Sequence, residues 1–251
     1  MPGDYEVLAT IHTTLNMGAY ARTITPHLID TLQRNHWMGR QIIDIGCGAG
    51  ESLTWLAQHG YVVTGVDRAP VMLAAARRTL KAANVDARLV EGDIRTIRNL
   101  SDFDLAIALD VMNEYNSLRE LEETFRSIHN LLKPEKLFAF DFRTIEGLVQ
   151  LSLLSDGDAL VHDDDNLTIF TQDEFDYERQ VQKRTYHIFS RVDELWKRTI
   201  GTRTQRAYPI QAITTLLQRT GFDVEHVLNE NLQPHTFGDS TARVIIVGRK
   251  R

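Results

Sequence analysis

The chain has 251 residues, of which 43% are hydrophobic and 25% charged, a balance typical of a protein with a sizeable buried core. The formal net charge of −6 argues against a dedicated nucleic-acid-binding protein, because phosphate contacts need clustered Lys and Arg. The single cysteine, Cys47, excludes a disulfide framework within the chain. No signal peptide is visible and no run of about 18 apolar residues occurs, so we expect a cytoplasmic protein without a membrane span.

The first half of the chain alternates between strand-like and helical patterns. Apolar residues at helical spacing predict two helices between Asp4 and His36, and Pro26 predicts a kink or a helix start near Thr25. Strands are predicted at residues 41–45, 61–66, 87–91, 103–109 and 137–142, the last after a turn at Lys133-Pro134. Helices are predicted at residues 51–59, 70–83 and 117–132. This alternation predicts βαβ units and a parallel sheet with helices on both faces.

The pattern changes after Phe142. A predicted helix at residues 145–154 is followed by alternating apolar and polar positions over 160–171 and 177–201, typical of antiparallel strands with a hairpin turn at 191–194. A helix at 210–220 and strands at 223–228 and 242–248 complete the fold. We predict an α/β, Rossmann-like domain with a doubly wound, mostly parallel seven-stranded sheet, formed by residues 1–154 and 208–251. Residues 155–207 would form a small inserted antiparallel sheet that caps the substrate site.

A glycine-rich loop lies between the first strand of the predicted sheet and the next helix. Residues 42–50 read IIDIGCGAG, and such glycines let a ligand approach the backbone and the free amides of the helix N-terminus. Asp67 ends the following strand, where a carboxylate can accept hydrogen bonds from both hydroxyls of a ribose. A dinucleotide-binding loop would need glycine at position 51, but Glu51 stands there and would repel a pyrophosphate. The pattern therefore favours an adenosyl cofactor without phosphates.

Four segments in order resemble the motifs of the class I S-adenosylmethionine-dependent methyltransferases: IIDIGCGAGESL, TGVDRAPVML, VEGDIRTI and FDLAIALDVMNEY. The resemblance implies that S-adenosylmethionine is the cofactor and S-adenosylhomocysteine its product. It places Asp67 on the ribose, Asp44 near the methionine amino group and the Tyr20 hydroxyl near the methionine carboxylate. The other residues implied in cofactor binding are Gly46, Cys47, Gly48, Gly50, Arg68, Met72, Asp93, Ile94, Leu109 and Asp110.

The chain also resembles a bacterial subgroup that acts on small molecules, carries an inserted antiparallel sheet and includes amino-sugar N-methyltransferases. The matching features are an N-terminal helix pair with tyrosines, from Tyr5 to Tyr20, the segment QRAY at 205–208 and the pattern LLxxxGF at 216–222. Members of the subgroup often have a histidine a few residues before QRAY. This chain reads Thr202-Arg203-Thr204 there, so a histidine base is not expected at that place.

Methyl transfer requires alignment of the nucleophile with the sulfonium and, for some acceptors, removal of a proton. Asn113, Glu114 and Tyr115 follow the fourth strand and are candidate catalytic residues. For Glu114 the alternative is that it is a solvated loop carboxylate. Candidate substrate contacts are His187, Arg206 and Tyr208, for which a structural role is the alternative. No metal site is predicted, because no histidines have metal-ligand spacing and the acidic run 163–165 reads as an exposed turn.

These observations predict a methyltransferase that acts on the N or O of a small-molecule acceptor, with neither a nucleic-acid nor a membrane partner. A homodimer is an option that the sequence leaves open. Two alternatives remain. One is an NAD-dependent oxidoreductase on a related fold, which the missing third glycine disfavours. The other is a non-catalytic S-adenosylmethionine-binding module, because no base is obvious.

Overall fold

The structure is a computed structural model that describes residues 4–153, 158–236 and 238–251. Two helices come first, α1 (Tyr5–Ile11) and α2 (Ala19–Arg34). Strands and helices then alternate as β1 (Gln41–Ile45), α3 (Glu51–Gln58), β2 (Val62–Asp67), α4 (Pro70–Ala82), β3 (Arg88–Glu91), β4 (Phe103–Ala108), α5 (Leu118–Leu131) and β5 (Leu132–Arg143). The remaining elements are α6 (Ile145–Leu153), β6 (Ala159–Asp163), β7 (Leu167–Asp176), β8 (Val181–Val192), β9 (Leu195–Arg206), α7 (Ile210–Arg219), β10 (Phe222–Asn229) and β11 (Arg243–Lys250).

The larger sheet has seven strands in the order β10-β11-β5-β4-β1-β2-β3. Strands β1 to β5 pair in parallel, whereas β11 runs antiparallel to both β5 and β10. The expected doubly wound, mostly parallel seven-stranded sheet is confirmed. Because the chain leaves β1 towards β2 on one side and β4 lies on the other, the carboxyl ends of β1 and β4 form the crevice where such folds bind ligands.

The core lies in two layers, one on each face of this sheet. Alternate residues of each strand face opposite sides, so Ile43 of β1 joins one layer and Ile42 the other. One layer packs against α5 and α7, through Phe125 and Leu217 among others. The other packs against α2, α3 and α4. All six residues of β4 are buried, as expected for a central strand covered on both faces.

Two boundaries expected at prolines are wrong. Helix α2 begins at Ala19 and continues through Pro26, so no helix starts near Thr25, and the kink expected as the other possibility stays a prediction. The Thr25 hydroxyl donates a 2.7 Å hydrogen bond to the carbonyl of Ala21, which stabilises the turn next to the proline that lacks an N–H. The turn expected at Lys133-Pro134 is instead an irregular start of β5, whose pairing with β4 shifts after Leu132.

The smaller sheet is antiparallel, in the order β6-β7-β8-β9, and extends from Ala159 to Arg206. It thus lies inside the segment 155–207 expected to be inserted, and β8 and β9 meet in the expected hairpin. Residues 154–157, which include the end of the expected helix 145–154 and the expected domain boundary, lie outside the described residues, as do residues 1–3. The role of this sheet as a substrate cap stays a prediction.

Helix α1 connects the two sheets. Its residues Leu8 and Ile11 are buried against Ile169, Tyr186 and Ile188 on one face of the smaller sheet. We call this the inner face, and alternate residues of the same strands form the outer face. Gly201 permits the contact, because a Cβ at this position would lie 2.9 Å from the Val7 side chain. Helix α1 is thereby held by the smaller sheet close to the carboxyl ends of the larger one.

No helix in the described part of the chain is long and apolar enough to cross a membrane.

Candidate functional site

A cavity opens at the carboxyl ends of β1, β2 and β4, between the glycine loop and helix α1. It contains about 990 Å³ of space, counted out to the solvent at its mouth. The structure brings together many of the predicted residues on its walls: Gly46, Cys47, Gly48, Asp67, Arg68, Met72, Asp93, Ile94, Leu109, Asp110, Glu114 and Tyr115. Four further polar residues that the sequence analysis did not assign to the site also line it: Tyr5, His12, Glu51 and Arg203.

The glycine loop takes a conformation that few other residues allow. Gly46 and Gly50 have φ angles of +70° and +86°, in the left-handed region. A Cβ at Gly46 would overlap the side chain of Val111, and one at Gly50 would lie 3.2 Å from the Cβ of Ala76. A Cβ at Gly48, by contrast, would meet only the end of Met72, at 3.6 Å. The loop is therefore tightly packed against Val111 and Ala76, and Gly48 leaves space on the cavity side.

Asp67 lies at the end of β2 with both carboxylate oxygens held by backbone amides. Gly48 donates to Oδ2 and Ala69 donates to Oδ1, each at 2.9 Å. Burial raises the pKa of Asp67, and these two amides oppose the rise. Each oxygen accepts two hydrogen bonds when ionised, so both retain capacity for a hydroxyl group. This arrangement fits a ribose diol.

Asp93 is held by its neighbour Arg95. The Arg95 guanidinium donates to both carboxylate oxygens, at 2.6 to 3.1 Å, and the backbone amide of Arg95 adds a further hydrogen bond. The hydrogen-bonded ion pair with Arg95 holds the pKa of Asp93 below its usual value. Ile94 and Met72 are buried beside it and line the same end of the cavity. A fixed carboxylate between apolar side chains fits the edge of an adenine.

Asp44 is a buried carboxylate without a positive neighbour. Only 3% of the residue is exposed, and burial, together with the charges of Asp67 and Glu51, raises its pKa to about 8. A cationic amine bound nearby would favour its ionised form. The Tyr20 hydroxyl is buried and has no hydrogen-bond partner among the described residues, while the Tyr20 ring lies 3.7 Å below the Arg243 guanidinium. Neither Asp44 nor Tyr20 is among the residues that line the cavity, so their roles towards a methionine moiety stay predictions.

A chain of buried charges lies on the side of the cavity away from the adenine end. Arg203 of β9 donates to Glu114 at 2.8 Å and to Asp110 at 2.9 Å. Arg243 of β11 donates to the other oxygen of Asp110 at 2.8 Å and also to Asp141. We call these five residues the charge network. It joins the smaller sheet, through Arg203, to the larger one.

The charge network shifts the pKa values of its carboxylates in opposite directions. Burial favours a raised pKa for Asp110, but Arg203 and Arg243 outweigh it and hold the pKa well below its usual value. For Glu114, burial raises the pKa by more than Arg203 and the Tyr5 hydroxyl lower it, so the pKa is raised. Tyr5 donates a hydrogen bond to the same Glu114 oxygen that Arg203 contacts. Glu114 is thus a buried, firmly held carboxylate and not a solvated loop residue.

Asn113, expected as a catalytic candidate, has its amide committed to the backbone. Its Nδ2 donates to the carbonyls of Arg143 and Arg206, at 3.0 and 2.9 Å, and its Oδ1 accepts from the amide of Arg143 at 2.7 Å. Arg143 ends β5 and Arg206 ends β9, so Asn113 clamps the two sheets together. This geometry supports a structural role for Asn113, and the residue does not line the cavity.

The candidate substrate contacts lie away from the cavity. The Tyr208 hydroxyl donates a 2.6 Å hydrogen bond to the carbonyl of Tyr115, and Arg206 donates to the carbonyl of Asn116 at 2.5 Å. Both brace the loop that carries Glu114. His187 points to the outer face of the smaller sheet, where its Nδ1 lies 3.0 Å from Arg198. None of Arg206, Tyr208 and His187 lines the cavity, so the structure favours the structural alternatives.

His12, at the C-terminal end of α1, lies on the cavity wall opposite Glu51, with Nδ1 and Oε1 3.6 Å apart. Gly18 permits this arrangement, because a Cβ there would overlap the Glu51 carboxylate. No local sequence pattern marks His12, Arg203 or Arg243 as site residues, since each meets its partners across a large sequence separation. In the described residues no group of three or more His, Cys, Asp or Glu side chains could hold a metal ion.

Comparison with known proteins identifies the domain. Residues 42–135 match the sequence model of a family described as a methyltransferase domain. The chain is similar to YqeM of Bacillus subtilis (strain 168), named as a methyltransferase, with 25% identity over 189 residues, 74% of this chain and 75% of YqeM. Proteins named as methyltransferases from Geobacillus sp. and Tropheryma whipplei align over 42% and 41% of their lengths, so the chain spans less than half of those relatives.

Solved structures share the fold over nearly the whole chain. An S-adenosylmethionine-dependent methyltransferase from Clostridium acetobutylicum ATCC 824 is 21% identical, with a TM-score of 0.81 and 98% of each chain covered. The sugar N-methyltransferase KedS8 from Streptoalloteichus sp ATCC 53650 is 19% identical, with a TM-score of 0.70 over 93% of this chain and 86% of that one. The chain thus contains a segment that matches a methyltransferase domain, and it shares the fold of an S-adenosylmethionine-dependent methyltransferase over nearly its whole length.

Proposed function

We propose that this protein transfers the methyl group of S-adenosylmethionine to the N or O of a small-molecule acceptor. The observation that carries the proposal is that one cavity is lined both by Gly48, Asp67 and Asp93 and by Tyr5, Glu114 and Arg203. The first group fits an adenosyl cofactor, and the second supplies hydrogen-bonding and charged groups beside it. Because α1 and β9 cover this second part, the space suits a small acceptor better than a macromolecule.

Each part of the cofactor has residues of suitable chemistry. Asp67 would hold the ribose hydroxyls, and Met72, Asp93 and Ile94 would surround the adenine. Asp44 would face the methionine amino group, and the unpartnered Tyr20 hydroxyl would reach the methionine carboxylate. When bound, S-adenosylmethionine supplies a methyl group on a positively charged sulfur, and the surrounding residues exclude water and orient the acceptor.

Glu114 is the candidate for orienting the acceptor. Tyr5 and Arg203 both bind its Oε1, and no described residue donates a hydrogen bond to Oε2. A free oxygen on a buried carboxylate would accept a hydrogen bond from an N–H or O–H of the acceptor that keeps its proton, and would thereby orient the acceptor. Similarity of fold to a sugar N-methyltransferase supports an acceptor that carries amino or hydroxyl groups.

The alternatives differ in what they require of the cavity. An NAD-dependent oxidoreductase would place a pyrophosphate beside the glycine loop, where Glu51 lines the cavity, and the structural relatives are methyltransferases. A non-catalytic binding module would keep Asp67 and Asp93 but would not need the free Oε2 of Glu114 in the cavity that also binds the cofactor.

The test combines cofactor binding with a search for the acceptor. Isothermal titration with S-adenosylhomocysteine should give a one-to-one complex, which an Asp67→Ala variant should weaken at least about tenfold through loss of the ribose contacts. Methyl-labelled S-adenosylmethionine is then incubated with panels of small amines, amino sugars, sugars and phenols, with Glu114→Gln as the matched variant. Label transferred by the wild type and strongly reduced in Glu114→Gln supports the proposal. Binding without transfer to any acceptor indicates the non-catalytic alternative.

A further inference from the structure

Helix α1 ends at a histidine that faces the cofactor cavity. His12 lines the cavity together with Glu51, Asp67 and Arg203, and its side chain is 13% exposed. No described residue makes a hydrogen bond with either ring nitrogen, although Nδ1 is 3.6 Å from the Glu51 carboxylate. The ring is therefore held at the cavity wall with hydrogen-bonding capacity to spare.

Transfer of a methyl group to an amine or hydroxyl releases a proton, and the cavity must accept it. Glu114 is poorly suited, because it is a carboxylate that pairs with the buried Arg203, and its protonation would remove that ion pair. Asp110 is bound by two guanidiniums, which hold its pKa well below its usual value. His12 has no such commitment.

We propose that His12 accepts the proton of the methyl acceptor, an inference that rests on the proposed function. The lone pair of the acceptor N or O forms the new bond to the methyl carbon. The carbon–sulfur bond breaks, and its electron pair stays on sulfur as the neutral thioether. The acceptor proton moves to a ring nitrogen of His12, which becomes an imidazolium beside Glu51. The overall charge is conserved, because the positive charge of the sulfonium reappears on His12.

The surroundings of His12 suit this role. Burial lowers the pKa of His12, and the positive charge of Arg203 in β9 lowers it further. The carboxylates of Glu51 in α3 and Asp67 in β2 oppose this decrease, but the pKa stays below its usual value. The ring is thus neutral near pH 7 and able to accept a proton. Once the ring is charged, Glu51 stabilises it. A base whose pKa lies near the working pH contributes about 10²–10⁴-fold to the rate.

The experiment compares wild type, His12→Gln and His187→Gln. His187 is the matched control, since it lies on the outer face of the smaller sheet. For an acceptor that the labelled-donor panels identify, kcat/KM of His12→Gln should fall at least about 100-fold and lose its acid limb. The affinity for S-adenosylhomocysteine should stay within about threefold, and His187→Gln should match the wild type. In His12→Ala, free imidazole should restore part of the turnover, which a structural role would not produce.

The outcomes separate this inference from the proposed function. Retention of wild-type kcat/KM and of the acid limb in His12→Gln overturns the role of His12 but leaves methyl transfer intact. If the wild type labels no acceptor, the proposed function fails instead. The inference about His12 then fails with it. The NMR titration of the His12 ring in the S-adenosylhomocysteine complex needs no acceptor and is a separate test: a pKa at or below about 7 supports a neutral base at pH 7, and a higher pKa overturns the proposal.

Discussion

Asp44 shows how a single buried carboxylate prepares the site for its ligand. Burial and the charges of Asp67 and Glu51 raise its pKa to about 8, so about nine-tenths of the Asp44 carboxyls are protonated at pH 7. A bound methionine amino group would favour the ionised form. We therefore predict that binding of S-adenosylhomocysteine at pH 7 releases close to one proton, and that Asp44→Asn abolishes most of this release.

The measurement is isothermal titration in buffers of different ionisation enthalpy, between pH 5 and 9. Proton release should decline above pH 8, where Asp44 is already ionised, and Asp44→Asn should bind more weakly because it lacks the charge. In the absence of ligand, the free energy of unfolding changes with pH in the opposite sense to ligand binding. The raised pKa of Asp44 stabilises the fold fully below about pH 4, and this contribution is lost as the pH rises through about 8. Equal proton release by both proteins would show that Asp44 does not face the amine.

At the residue scale, sequence reasoning located most of the residues on the cofactor side of the cavity. Asp67 ends a strand of the parallel sheet, Asp93 and Glu114 each follow one, and the carboxyl ends of such strands meet at one edge. Arg203 and Arg243 were not predicted, because they lie within strands and pair with acids 89 to 133 residues away. Such pairing depends on how the two sheets are placed, which local patterns do not encode.

At the element scale, the clamp formed by Asn113 ties the end of β5 to the end of β9. Asn113→Ala removes three hydrogen bonds and leaves partly buried backbone groups of Arg143 and Arg206 without their side-chain partner. We predict a loss of about 2 kcal/mol in the free energy of unfolding and a fall in Tm of roughly 4–8 °C. Thermal denaturation measures the effect, with the exposed Asn130→Ala as control. A loss no larger than that of Asn130→Ala would contradict the clamp.

The passage from α1 to α2 sets the surroundings of His12. Gly18, the N-cap of α2, has φ −84° and ψ 6°, which alanine also adopts, but its Cβ would overlap the Glu51 carboxylate. Gly18→Ala should therefore turn Glu51 away from His12 and lower the pKa of His12 further, because the Glu51 charge raises it. Stability should change by less than about 1 kcal/mol, since the flexible glutamate gives way.

NMR titration of the His12 ring tests this prediction, and Glu51→Gln should shift the pKa in the same direction. An unchanged pKa in Gly18→Ala, with a clear decrease in Glu51→Gln, would mean that the glutamate finds another position near the ring.

The helices and strands were predictable where the apolar residues follow a single sequence period, either helical or alternating. Short apolar runs between amphipathic segments gave the parallel strands, and alternation gave the antiparallel ones. The structure departs from the prediction where tertiary packing decides. Helix α2 continues through Pro26 because its flanking residues Ile24 and Leu28 pack into the core. His187 was a substrate candidate, but its register with β7 places it on the outer face, and a shift of one residue would reverse this.

At the scale of the whole molecule, the charge network couples the two sheets through Arg203. This side chain keeps 18% of its surface exposed to the cavity, while Glu114 beneath it keeps 6%. Arg203→Met preserves length and removes the charge, so Glu114 loses its only cationic hydrogen-bond donor among the described residues and Asp110 retains Arg243. We predict a loss of about 3 kcal/mol at pH 8, a fall in Tm of roughly 6–12 °C.

The pH dependence identifies the cause of this loss. Without Arg203, burial raises the pKa of Glu114 further, and protonation of Glu114 then relieves the uncompensated charge as the pH falls. Arg203→Met should therefore be less destabilised relative to the wild type at pH 5 than at pH 8. Calorimetry at both pH values measures the difference, and the Arg203→Met/Glu114→Gln double variant should be more stable at pH 8 than the sum of the single losses predicts. A loss that is independent of pH and additive with Glu114→Gln would show that Arg203 joins the sheets by packing alone.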